Sequence, residues 1–145
     1  MKNIIAVATT FCLENLRKDE ILTLLRRSEK FRAAADFHMS RADYDMVVFS
    51  SEQSLKLFLK AKLLENGVEF PKTHTLRGLF ILLGECLDKR GVFEKFAEER
   101  VVEFSSLEDA YITSRCFPRE FTKEEANSHI RFYEEVVGFV RQHTG

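Results

Sequence analysis

The chain of 145 residues has no tryptophan, two prolines and six glycines, so it holds little material for flexible linkers, and disorder is expected only at its ends. Cysteine is equally scarce. Cys12, Cys86 and Cys116 form an odd set without a CxxC pair, which argues against a disulfide framework and against a zinc site. Reduced thiols in a cytoplasmic protein are the expectation. Neither sign of charge dominates: 22 Lys plus Arg stand against 23 Asp plus Glu, a net charge of −1. With no global positive field to hold a phosphate backbone, any nucleic-acid contact has to be local.

Long hydrophobic runs are also missing. The apolar stretch 3–13 (NIIAVATTFCL) is too short to span a bilayer and lacks a small-x-small cleavage site, so neither a membrane span nor a signal peptide is expected. We expect an N-terminal extension over residues 1–18, packed on a single domain formed by residues 19–145. No Gly-rich phosphate loop, GxSxG elbow, paired-carboxylate motif or Cys-His pair at recognisable spacing occurs, so no cofactor and no metal are expected. His38, His129 and His143 have no partner at metal-ligand spacing and are expected to be packed or exposed.

What the chain does have is phenylalanine, 14 of them, bulk that must pack against itself or a partner. Apolar residues recur at helical spacing throughout. Leu22, Leu25, Phe31, Ala35 and Met39 mark a first helix over 19–40, and Tyr44, Val47, Val48, Leu55, Phe58, Leu59 and Leu63 a second over 42–66, stopped by Asn66-Gly67. Pro71 forces a loop, Thr73 or Thr75 caps a third helix to about Lys89, and a fourth is expected over 92–115, broken near Ser105-Ser106. After Pro118, Thr122 and Glu125 form a capping box that opens a last helix to about Gln142. The short connections favour antiparallel neighbours, so the fold class is all-α, an antiparallel bundle of about five helices.

Three places offer polar chemistry. Gln53, Lys56 and Lys60 share one helical face on which an anion can rest, a pattern equally met on solvated helix faces. His74 stands at a helix start, where free N–H groups and the dipole favour an anion, or where the ring simply fixes the loop. Arg115, in the segment YITSRCFP, sits at a helix end within reach of a phosphate, a carboxylate or the helix's own carbonyls, with Glu108 and Asp109 as alternative partners.

Taken together, Tyr44–Gly67, Phe70–Leu76 and Tyr111–Pro118 ahead of the T-x-E-E helix start resemble the HEPN domain (higher eukaryotes and prokaryotes nucleotide-binding) over about residues 21–140. The family's Gln-Ala-x-Glu-x-x-x-Lys run reads here with Gln53 and Lys60 in place and Lys56 where Glu is usual. Its Tyr-x-x-x-Arg-Tyr-Pro run reads with Tyr111, Arg115, Phe117 and Pro118, one residue longer before the proline. The resemblance implies an up-and-down four-helix core, a homodimer, and nucleotide or phosphate binding through Gln53, Lys56, Lys60, His74, Tyr111 and Arg115. It also implies the setting of a minimal prokaryotic, toxin-antitoxin-like module with a small nucleotidyltransferase as partner. Many members resemble metal-independent ribonucleases whose Arg is followed four to six residues later by His. Neither Arg115 nor Arg119 has such a His, so the expectation leans away from an enzyme. An RNA-cleaving toxin, and a purely structural dimerisation or adaptor module, are the alternatives.

Overall fold

A computed structural model of the chain describes residues 2–70, 72, 75–116 and 120–144, without the side chains of residues 2–5 and 110–116. The described residues form six helices and no strand: α1 Lys2–Ser40, α2 Tyr44–Glu65, α3 Leu76–Cys86, α4 Arg90–Glu99, α5 Val101–Cys116 and α6 Lys123–Thr144. The fold is the all-α bundle that the periodicity predicts. Helix α2 is its axis, packing most extensively on α1 and also on α3, α5 and α6.

Local chemistry explains most of the helix ends. At Asn66-Gly67 the chain closes with paired bonds, Val68 N to Leu63 O and Gly67 N to Leu64 O, both 3.0 Å, with Gly67 at φ 74°. This motif needs a left-handed residue after the cap, for which glycine is the natural choice. The same pair of bonds ends α1 and α3, where the left-handed residues are Ala42 (φ 59°) and Asp88 (φ 56°). Thr75 caps α3 by accepting from Gly78 N at 3.0 Å. The capping box at the start of α6 is present in both directions, Glu125 N to Thr122 Oγ1 at 3.1 Å and Thr122 N to Glu125 Oε2 at 2.8 Å.

Two boundaries depart from the pattern read in the sequence. The expected fourth helix is two, and it breaks at Arg100, not at Ser105-Ser106. The cause is tertiary: α4 packs on α3 whereas α5 packs on α2, and one straight rod cannot lie on both. Ser106 instead stays helical and meets His129 of α6 at 3.1 Å. The first helix, expected from about residue 19, begins at Lys2, so the segment read as a separate extension is continuous with it. The side chains of residues 6–20 are exposed, with α2 too short to reach them.

Phenylalanine builds the core. Phe80 of α3 is ringed by Phe93 at 4.7 Å, Phe96 at 5.3 Å, Phe104 at 5.4 Å and Phe139 at 5.7 Å between centroids, and Phe104 meets Phe132 edge-on at 4.9 Å. Where α3 and α4 touch, a Cβ on Gly84 would stand 2.5 Å from Cβ of Phe93, so only glycine allows that approach. On the other side α1, α2 and α6 are joined by a buried polar clasp. Ser28 Oγ donates to Ser54 O and Ser54 Oγ to Ser28 O, both at 2.7 Å, which leaves the Tyr133 hydroxyl, 2.9 Å away, to donate to Ser54 Oγ. Small hydroxyl side chains permit close helix contact while leaving no polar atom of the clasp unmatched. Arg32 reinforces the seam from outside, bonded to Glu134 at 2.9 Å and Asp36 at 2.6 Å.

Candidate functional site

The apolar stripe of α2 runs through Val48, Leu55 and Leu59, and Glu52 falls within it at i+4 from Val48. Its side chain is 2% exposed. An isolated carboxylate there would be costly, and it is answered on both oxygens: Lys56 Nζ lies 2.7 Å from Oε1, and Gln53 Nε2 donates to Oε2 at 2.6 Å. Lys56 is therefore a paired, largely covered ammonium and not a freely solvated charge. One turn further on, Lys60 places its ammonium 4.9 Å from the centroid of the Phe70 ring, in the loop that follows α2. Burial pushes the Lys60 pKa below its ordinary value, Lys56 adds to this, and Glu52 opposes it.

The face thus carries two ammonium groups and one carboxylate, with an aromatic ring over the outer lysine. Of the residues read from the sequence, the structure brings Gln53, Lys56 and Lys60 together through Glu52, which that reading passed over. The signal for it was a charged residue inside an apolar stripe, in the run Ser50, Ser51, Glu52 and Ser54, all buried. His74 lies outside the described residues. Tyr111 and Arg115 belong to α5, but their side chains lie outside them too. Glu108 Oε1 accepts from Arg77 N at 2.9 Å, so the middle of α5 lies beside the start of α3.

The remaining histidines are packed. His129 is buried, with Nδ1 2.7 Å from Glu125 O and Nε2 near Ser106, and His143 lies against Phe139 with its Nδ1 2.8 Å from Phe139 O. His38 Nδ1 is 3.7 Å from Asp43 at the α1–α2 turn. Among the described residues no group of His, Cys, Asp and Glu could hold a metal ion, and no helix is long and apolar enough to cross a membrane. An open groove of about 590 Å³ beside the start of α3 is lined by Thr75, Arg77, Glu85, Glu94 and Glu98, and Arg90 pairs with both Glu85 and Glu94, so its charges are largely matched within the chain.

Against known families, the HEPN domain model matches residues 21–143. Among curated proteins and among solved structures, none matches the chain.

Proposed function

The chain belongs to the HEPN domain family, and from that premise we propose that it is a nucleotide- or phosphate-binding module. The ligand's anionic group rests against Lys56 and Lys60, with Gln53, His74, Tyr111 and Arg115 completing the site. The module acts as a homodimer in the cytoplasm and docks to a small nucleotidyltransferase in a two-protein, toxin-antitoxin-like system. With no His four to six residues beyond Arg115 or Arg119, this reading assigns binding and not RNA cleavage.

The observation that carries it is the state of Lys60. Its ammonium is partly desolvated and lies near Lys56, and Glu52 opposes but does not cancel these effects, so its pKa is held below the ordinary value and an anion at this face would favour the charged form. A phosphate would relieve both effects.

Thermal unfolding with ATP, GTP, AMP and short RNA tests the reading. The expected result is a rise in Tm with at least one of them that grows with the logarithm of its concentration, corresponding to about 2.7 kcal/mol at a hundredfold excess over Kd. Lys60→Ala and Arg115→Ala should abolish it. The pH dependence has a defined sign: because the Lys60 pKa is lowered, ligand stabilisation should be full below that lowered value and fade as pH rises through it, earlier than for an ordinary lysine. No shift with any of the four ligands would overturn the binding site and leave a structural adaptor.

A further inference from the structure

The buried carboxylate of Glu52 governs Gln53 as well as Lys56. The Gln53 amide lies 2.6 Å from Glu52 Oε2, while Lys56 holds the other oxygen at 2.7 Å. A carboxylate paired with an ammonium accepts hydrogen bonds and offers none. The amide therefore has one orientation at this contact, with Nε2 toward Glu52 and the carbonyl Oε1 turned from it; reversed, it would set two acceptors against each other. Gln53 is half-buried, yet among the described residues its Oε1 receives no hydrogen bond.

This decides which groups the face can recognise. Lys56 and Lys60 carry only donors, and Gln53, which by itself could present a donor or an acceptor, has its amide nitrogen engaged by Glu52. Gln53 and Lys60 lie two turns apart on α2, about 10 Å along the axis and within roughly 20° of one line, with Lys56 between them. A bare phosphate answers the cations and leaves the acceptor unmatched. The complementary ligand carries an anionic group and, further along the same molecule, a hydrogen-bond donor.

We propose that this ligand is a ribonucleoside polyphosphate, whose outer phosphates face Lys60 and Lys56 and whose ribose hydroxyl donates to Gln53 Oε1, an acceptor held in place by Glu52. The proposal rests on the nucleotide-binding reading above and narrows it, from an anionic group in general to a phosphorylated sugar with free hydroxyls. The ribose is the part of a nucleotide that adjoins the phosphates, so it meets Gln53 whichever base it carries. Glu52 touches no ligand and acts as a positioning residue. A nucleotide that covers Oε1 without donating to it strips water from the acceptor and returns no bond, so the hydroxyl contributes to discrimination as well as to affinity.

Calorimetric titration with ATP and GTP, each beside its 2′,3′-dideoxy counterpart, isolates the hydroxyls, because the two members of a pair share phosphates and base. The hydroxylated nucleotide should bind about tenfold more tightly than its dideoxy form. Gln53→Met should erase the difference by weakening the hydroxylated nucleotide, with thermal unfolding of the free protein still cooperative. Glu52→Gln, which lets the Gln53 amide turn over, should shrink the difference while binding persists, and Lys60→Ala should weaken both forms alike. Equal affinity within each pair in the wild type overturns the proposal and leaves the anion site standing. A preference that survives Gln53→Met does the same, and one that Glu52→Gln leaves whole overturns the positioning role of Glu52. If neither ATP nor GTP binds in either form, the proposal falls, and the response of Tm to AMP and short RNA shows whether the anion site falls with it.

Discussion

Lys56 and Glu52 form one ion pair whose halves are not equivalent. The carboxylate side chain is 2% exposed and the ammonium 24%. Removing the lysine strands a charge in the interior, whereas removing the charge on Glu52 leaves an ammonium that can swing outward along its flexible stem. Lys56→Met should therefore cost about 3 kcal/mol and Glu52→Gln only about 1 kcal/mol, measured by urea unfolding. The reverse order would mean that the pair is not buried as described. This asymmetry was not legible in the sequence, where Lys56 reads as one more surface lysine. Helical spacing placed Gln53, Lys56 and Lys60 on one face, but the desolvation that distinguishes them comes from the helices packed on α2 and, at Lys60, from the Phe70 ring, a property of the assembled bundle.

Helix ends were the most legible elements, because their chemistry is local. The Thr122–Glu125 box and the Asn66-Gly67 stop depend on residues within one turn of each other, and both occur as the sequence predicts. The end of α1 uses the same backbone geometry as Gly67 but holds Ala42 at φ 59°, a conformation in which Cβ crowds the following carbonyl. Ala42→Gly should raise stability by roughly 0.5–1 kcal/mol, and Gly67→Ala should lower it by a similar amount, both read from chemical denaturation midpoints. Loss of stability in Ala42→Gly would contradict the left-handed assignment. The break at Arg100 was illegible for the opposite reason: nothing near it resembles a cap or breaker, and only the division of α4 and α5 between two packing partners requires it.

At the scale of the molecule, two kinds of contact hold the helices together. The α3–α4 side is fused through phenylalanine rings, and the α1–α2–α6 side through serine hydroxyls and the Arg32 ion pairs. Gly84 is where the first kind is tightest. Gly84→Ala would drive a methyl group into Phe93 and displace the ring from Phe80 and Phe139; it should cost about 1–3 kcal/mol in thermal or chemical unfolding. An unchanged Tm would show that α4 can move away freely. The abundance of phenylalanine announced an aromatic core, yet no local rule could say that α3, α4, α5 and α6 would all contribute to one cluster.

The absence of tryptophan gives the serine clasp a spectroscopic consequence. Tyrosine emission from this chain has no indole to quench it by energy transfer, and Tyr133 is buried with its hydroxyl committed to Ser54. A phenol that donates to an internal acceptor emits differently from one that donates to water, so with Tyr44 and Tyr111 replaced by Phe the junction of α1, α2 and α6 carries its own optical probe, and its opening can be timed without introducing a label.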